Sequence, residues 1–126
     1  MKWNQAFELN RPEIDRQHKT MVNLVNSLET TLRFSDARPI MGELLETLLQ
    51  YAEEHFQYEE KGLVNCRIQG VQDHLAEHRR FGSQMQAFIH RFEDDDPQAG
   101  VELRRFLDHW LRHHILDSDR KHIQAF

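Results

Sequence analysis

The sequence contains a single cysteine, Cys66, so an intrachain disulfide is excluded. It has no apolar run near the roughly 20 residues that a membrane-spanning helix requires. The first ten residues, MKWNQAFELN, lack the apolar stretch of a secretory signal. We therefore expect a cytoplasmic protein with no membrane partner, in which Cys66 fills space in the fold.

Basic residues are also too few for a typical nucleic-acid-binding protein. Lys and Arg together number 16 against 21 Asp and Glu, which gives a formal net charge of −5. A protein that binds the phosphate backbone normally presents a basic face. Nucleic acid is therefore not expected as a partner.

Turn-forming residues divide the chain into four long segments, and none shows the alternating apolar pattern of a β-strand. Asn10-Arg11-Pro12 precedes the first segment, and FSDARP, NCRIQG and EDDDPQAG separate the others. The segments, 12–34, 39–64, 71–92 and 97–117, are each about 20 residues, or roughly 30 Å as helices. Short links favour antiparallel neighbours. The expected fold is a single all-α domain, 1–126, an up-down-up-down antiparallel four-helix bundle.

Apolar side chains recur at steps of three and four along every segment, the spacing of a stripe buried in a bundle. Six positions on these stripes carry side chains that bind metals instead of apolar ones. They are His18 in the first segment, His55 and Glu59 in the second, His74 and His78 in the third, and His114 in the fourth. All six would lie at the same end of an up-down-up-down bundle.

A buried imidazole needs partners for its nitrogens, and within the stripes these partners are only other imidazoles and Glu59. A lone histidine on such a stripe is usually a hydrogen-bonded core residue, but a bound metal would satisfy five of them together. His109 and His113 fall on the polar face of the fourth segment and are expected to be solvated. His90 and His122 also lie outside the stripes and are assigned no role in the site.

The sequence HILDSD offers a further carboxylate at Asp117 or Asp119. Asp119 follows His114 by five residues, a rotation of roughly 140° on a regular helix. It reaches the same site only if the helix ends or distorts there, so helix geometry ranks Asp117 at least equally. Five imidazoles and one or two carboxylates exceed the four ligands of a structural zinc. They suit two metal ions, and mixed nitrogen and oxygen donors favour iron or manganese.

Four motifs in combination resemble the hemerythrin family, specifically its bacterial hemerythrin-like domains. They are IDRQH (14–18), HFQYEE (55–60), HLAEH (74–78) and WLRHHILDSD (110–119), which together cover all four segments. The resemblance implies a buried centre of two iron ions joined by a hydroxide or oxide. It also implies that Glu59 and Asp119 bridge these ions, which selects Asp119 over Asp117.

The resemblance further implies how the histidines divide between the two ions. His74, His78 and His114 would bind one iron, and His18 and His55 would bind the other. Four side chains are expected near the open position of the second iron, namely Phe56, Trp110, Leu111 and Ile115.

By the same resemblance, the expected function is reversible dioxygen binding rather than enzymatic catalysis. The protein would be an oxygen carrier or store, or an oxygen or redox sensor that acts on a signalling output domain or an oxygen-consuming partner. The alternatives are a di-iron oxidase or peroxidase, iron storage, nitric oxide handling, and a metal-free helical interaction module.

Overall fold

The computed structural model describes residues 1–33, 38–66 and 69–122, and these are almost entirely helical. Helix α1 spans Pro12–Arg33, α2 spans Arg38–Cys66, α3 spans Val71–Glu93 and α4 spans Ala99–His113. The chain continues from α4 directly into a π-helix, His114–Asp119, and then into a last α-helical turn, α5, Arg120–His122. A 3₁₀ turn, Gln5–Phe7, precedes α1. Within the described ranges, none of the helices is long and apolar enough to cross a lipid bilayer.

The helices begin and end close to the predicted segment boundaries. Pro12 opens α1, because its fixed φ and missing N–H suit the first helical position. Gly70 directly precedes α3 with a φ of 85°, a left-handed conformation that glycine adopts readily. The fourth helix begins at Ala99, and helical structure continues past the predicted end at 117 to His122. The predicted end of the first segment at 34, and the side chain of Cys66, lie outside the described part of the chain.

The four long helices form the predicted bundle. α1 packs against α2 and α4, and α3 packs against the same two helices. The predicted stripes supply most of the core: Ile14, Met21, Val25 and Leu28 from α1; Met41, Leu45, Leu48 and Ala52 from α2; Phe81 and Met85 from α3; Leu103 and Leu107 from α4. Near the end of α3 the buried position is Ile89 rather than Phe88 or Phe92, which are partly buried. A straight helix drifts relative to a strict 3.5-residue period, which accounts for this shift.

The residues before α1 pack over the π-helix and contribute core side chains of their own. The 3₁₀ turn contacts the π-helix, and Phe7 and Leu9 are 1% and 2% exposed. The Leu9 N–H donates to the Asp15 carboxylate at 2.9 Å, and the Arg120 guanidinium donates to the Ala6 carbonyl. This segment has no helical periodicity, so the sequence pattern did not reveal that it is buried.

The packing of α4 in the bundle can be tested at two positions that lie two residues apart in sequence. Leu103 has no exposed surface, whereas Val101 is 45% exposed. Leu103→Ala should lower the free energy of unfolding by about 2–5 kcal/mol, because it leaves a cavity in the core. Val101→Ala should change it by no more than about 0.5 kcal/mol. Urea unfolding followed by circular dichroism measures both, and equal stability of the two variants would contradict the packing of α4.

Candidate metal centre

Seven side chains with metal-binding atoms meet at one end of the bundle, and none is more than 4% exposed. α1 supplies His18, α2 supplies His55 and Glu59, α3 supplies His74 and His78, and the π-helix supplies His114 and Asp119. They form two overlapping groups, in each of which the potential ligand atoms lie within 4.8 Å of one another. The first group is His18, His55, Glu59, His114 and Asp119, and the second is Glu59, His74, His78, His114 and Asp119. The structure therefore brings together all seven of the residues singled out as ligands.

The two carboxylates occupy the middle of this cluster, because Glu59 and Asp119 belong to both groups. His114 also belongs to both, and its Nε2 lies 3.2 Å from Nε2 of His55. The geometry is thus compatible with shared carboxylates between two ions. The division of the histidines between the ions, with His114 on the side of His74 and His78, stays a prediction.

The pitch of α2 explains why the first and fifth residues of the motif HFQYEE, His55 and Glu59, both point into the cluster. Residues four apart lie one turn apart on the same face of a helix, and His55 Nε2 is 2.6 Å from Glu59 Oε1. Tyr58, between them in sequence, is 46% exposed. The same spacing in α3 places the imidazoles of His74 and His78 edge to face, with ring centroids 4.7 Å apart.

The π-helix explains how Asp119 reaches the cluster. In a π-helix the hydrogen bonds join residues five apart, so side chains five apart come onto the same face, unlike in an α-helix. His114 Nε2 lies 2.9 Å from Asp119 Oδ2, and both residues are buried. The Asp117 side chain is 69% exposed and pairs instead with the His113 ring at 3.0 Å. The distortion required by the spacing of five residues is therefore present, and Asp117 lies outside the cluster.

The two buried carboxylates and three of the imidazoles, those of His55, His74 and His114, shift one another's pKa toward the charged form. Burial raises the pKa of Glu59, but the neighbouring His55 and His114 rings outweigh burial and hold that pKa well below its ordinary value. His114 likewise keeps the pKa of Asp119 low, against burial and the repulsion of Glu59. Burial lowers the pKa of His74, but Asp119 and Glu59 outweigh it and raise this pKa to about 9. Two ionised carboxylates in a site sheltered from water favour a positive charge between them.

Several polar atoms of the cluster are poorly satisfied by protein alone. Among the described residues, both oxygens of Glu59, Oδ1 of Asp119 and Nε2 of His74 and His78 are buried without a hydrogen bond of acceptable geometry. His74 Nε2 does approach Asp119 Oδ1 to 3.1 Å, but as an ion pair. An unsatisfied buried polar group costs about 1–3 kcal/mol. Imidazole nitrogens and carboxylate oxygens are donors that suit iron and manganese, so the donor set fits a metal centre.

A second set of polar side chains surrounds the seven. Gln17 Oε1 accepts from His55 Nδ1 at 2.6 Å, and the Gln17 amide donates to Glu13 at 2.9 Å. Glu77 lies 3.9 Å from His114 Nδ1 and accepts from the Ser118 hydroxyl at 2.7 Å. Partners of this kind fix the orientation of metal-binding imidazoles.

His122 is the most unexpected member of this second set. It is 6% exposed, and its Nδ1 lies 2.8 Å from Nδ1 of His74. No role is predicted for it from the sequence, because it lies outside the apolar stripes and the fourth helical segment is predicted to end at 117. On a regular helix its eight-residue spacing from His114 would turn it about 80° away from that face, so periodicity gives no signal for it. Gln17 and Glu77 each directly precede a histidine of the cluster, and no periodicity marks them.

Aromatic rings cover the side of the cluster formed by α2, α3 and α4. Phe56 stacks on His78 with centroids 3.9 Å apart, and Trp110 stacks on His114 with centroids 4.7 Å apart. Burial in these surroundings lowers the pKa of His78, although Glu59 acts in the opposite direction. Leu111 and Ile115, also expected near the site, are 2% and 0% exposed and belong to the core.

A surface cleft of about 510 Å³ lies between α2 and α3, and its lining includes Phe56 and His78. Polar side chains, among them Glu53, Glu60 and Arg79, also line it. The cleft therefore brings solvent close to the aromatic cover of the cluster.

The remaining histidines behave as the sequence pattern predicts. His109 and His113 are exposed on the outer face of α4. The His90 side chain is 71% exposed and lies 3.4 Å from Glu93. The position of a histidine relative to the buried stripe, rather than the number of histidines, therefore distinguishes the cluster from the surface.

Comparison with known proteins gives a consistent result. The family described as "Hemerythrin HHE cation binding domain" matches residues 11–125. The chain is 28% identical to a "Bacteriohemerythrin" of Clostridium acetobutylicum, covering 96% of this chain and 97% of that protein. It is 29% identical to a "Bacteriohemerythrin" of Methylococcus capsulatus, covering 95% of this chain and 92% of the relative.

A solved structure described as "Crystal structure of hemerythrin:wild-type" superimposes with a TM-score of 0.88 at 28% identity. The alignment covers 99% of this chain and 96% of that one. The family match spans the four helices and all seven cluster residues, and the architecture agrees with the solved structure over nearly its whole length. The chain therefore belongs to the hemerythrin HHE cation-binding family.

Proposed function

We propose that this protein binds dioxygen reversibly at a centre of two iron ions and does not act as an enzyme. The observation that carries the proposal is the composition of the buried cluster, five imidazoles and two carboxylates in two groups that share both carboxylates. The relatives described as bacteriohemerythrins support the same assignment.

In this proposal His74, His78 and His114 hold one iron, and His18 and His55 hold the other. Glu59 and Asp119 would be shared by the two, together with a hydroxide or oxide. When bound, the iron pair would supply the electrons for reversible dioxygen binding, and the ion held by only two histidines would be the one that takes dioxygen. The sharing of Glu59 and Asp119 between the two groups of donors supports their place between the ions. The groups also separate His18 and His55 from His74 and His78, whereas His114 belongs to both, and its place on the first iron follows the family resemblance.

The protein's own contribution is to keep the ligands fixed and water away from the site. Phe56 and Trp110 lie flat against two of the proposed ligands, His78 and His114. Leu111 and Ile115 precede Asp119 on the same continuous helix and are buried. An apolar environment of this kind withholds protons and strengthens the interactions between the charged ligands.

An imidazole-rich ligand set also favours oxygen binding over oxidation chemistry. Ferritin-like di-iron proteins use mainly glutamate ligands, with a Glu-x-x-His motif on each of two helices. Here five neutral donors accompany two carboxylates, and fewer anionic ligands leave the ferrous state better stabilised. We therefore expect release of unchanged dioxygen to predominate over its reduction.

The visible absorption spectrum tests this function. The protein is reduced without air, exposed to air and then purged with argon, and its iron content is determined in parallel. We expect two irons per chain, a near-colourless reduced form, and a coloured form that reverses under argon. Direct conversion to a stable yellow ferric form would indicate redox sensing or enzymatic turnover instead, and absence of iron would contradict the proposal.

Asp119 and Asp117 provide a matched pair of substitutions. Asp119→Asn removes a shared carboxylate from the centre and should lower the iron content, because an amide neither carries charge nor bridges two cations well. Asp117→Asn changes a side chain that is 69% exposed, and its iron content should equal that of the unmodified protein. Iron analysis after desalting distinguishes the two, and equal iron in both variants would rule out Asp119 as a ligand.

Iron uptake should release protons, and iron affinity should increase with pH. The pKa of His74 is raised to about 9, so at pH 7 its imidazole holds a proton that an incoming cation must displace. As the pH rises toward 9 this competition weakens. Calorimetric titration of Fe²⁺ without air, in two buffers of different ionisation enthalpy, measures the protons released. Uptake without proton release would contradict a protonated imidazole at His74 in the metal-free cluster.

A further inference from the structure

The contact between His74 and His122 links the centre to the last turn of the chain. His122 Nδ1 lies 2.8 Å from His74 Nδ1, a hydrogen-bond distance, in a buried position. We propose that His122 is a positioning residue that fixes the ring orientation and the tautomer of His74. This inference rests on the proposed role of His74 as a metal ligand.

The two nitrogens of His74 face different partners. Its Nε2 faces the carboxylates, 3.1 Å from Asp119 Oδ1 and 3.5 Å from Glu59 Oε2. A nitrogen that binds a cation carries no proton, so the proton of a neutral His74 ring is on Nδ1. Nδ1–H then donates to His122, whose own Nδ1 must accept. With Nε2 of His74 free to bind a cation, only one tautomer of each ring makes this bond, with the proton of His122 on its Nε2. In that arrangement the lone pair of His74 Nε2 points toward the carboxylates, where the cation would lie.

One short stretch of helix controls both sides of the His74 ring. Asp119 ends the π-helix, and His122 follows it by three residues in α5. Residues three apart in a helix are neighbours on its surface. Asp119 therefore meets Nε2 of His74 while His122 meets Nδ1 of the same ring. Without the π-helix, these two side chains would not face α3 together.

The other side of His122 packs against the start of α3. Its backbone neighbour there is Gln69, and its Nε2 lies 3.4 Å from the position that a Cβ on Gly70 would occupy. The ring of His122 is thus held between Gln69 and Gly70 on one side and His74, in the first turn of α3, on the other. This packing restricts rotation of the His122 ring and keeps its Nδ1 directed at His74.

An imidazole suits this position better than the carboxylate that often accompanies a metal-binding histidine. Glu59 and Asp119 already place two negative charges in the cluster, and a third buried anion would add repulsion. A neutral imidazole accepts the hydrogen bond without adding charge.

Substitutions of His122 separate the hydrogen bond from packing. His122→Phe keeps a ring of similar size and removes the acceptor, whereas His122→Asn retains an acceptor oxygen near the place of Nδ1. His90→Phe is the matched control, because the His90 side chain is 71% exposed. Zn²⁺ is the probe, so the measurement does not depend on iron or on dioxygen binding.

Zn²⁺ affinity is measured by competition with a chromophoric chelator. We expect His122→Phe to weaken binding about 10- to 100-fold, as is usual when the partner of a metal-binding histidine is removed. His122→Asn should restore most of the affinity, and His90→Phe should match the unmodified protein. Unfolding in urea with excess chelator gives the stability of each variant without metal.

Proton NMR of the Zn²⁺-loaded protein detects the hydrogen bond between His74 Nδ1–H and His122 directly. The His74 Nδ1–H signal should be protected from solvent exchange in the unmodified protein and in His122→Asn, and lost in His122→Phe. Unchanged Zn²⁺ affinity in His122→Phe would overturn the proposal, as would a loss of affinity that Asn does not restore. If Zn²⁺ results are as expected but no reversible oxygen spectrum is found, the proposed function fails while the role of His122 stands.

Discussion

Two carboxylates, Glu59 and Asp119, are almost fully enclosed at one end of the bundle. An ionised carboxylate in such a place is unfavourable unless positive charge and hydrogen bonds compensate it. The five imidazoles supply part of that compensation, and several polar atoms are still unsatisfied among the described residues. The histidines lie where they can pair with the carboxylates, the π-helix brings Asp119 into the cluster, and the aromatic rings shield it from water. A cation bound between the carboxylates would complete the compensation.

The rest of the bundle is ordered around that end. The opposite half of the core consists of interdigitated Leu, Met, Val and Phe side chains, which hold the helices at fixed separation. That rigidity matters to the centre, because α1, α2, α3 and the π-helix each contribute side chains to the cluster, and a small sliding of one helix would separate them. At the end that holds the cluster, the residues before α1 add Phe7 and Leu9 to the core, and their 3₁₀ turn contacts the π-helix. Polar side chains such as Gln17 and Glu77 then hold individual rings in place.

Much of this arrangement was predictable from periodicity. The stripe positions correctly identified the helices and separated the buried His114 from the exposed His109 and His113. Periodicity assumes a regular helix, however, and so could not choose Asp119 over Asp117, which required the family resemblance. It also missed His122, because the turn that carries it follows the distortion. Phe7 and Leu9 were missed for another reason, since their burial arises from tertiary contact and not from any repeating pattern.

The π-helix can be understood as one additional residue accommodated in the last helix. Each residue of an α-helix turns the chain by about 100°, so a single addition changes the phase of everything that follows it. Asp119 and His122 come after this additional residue, and the rotation it introduces is what directs both side chains at His74 in α3. Adding or removing one residue between His114 and Asp119 would keep the same metal-binding side chains but rotate Asp119 and His122 away from the cluster. Related chains should therefore vary in sequence in this interval far more often than in length.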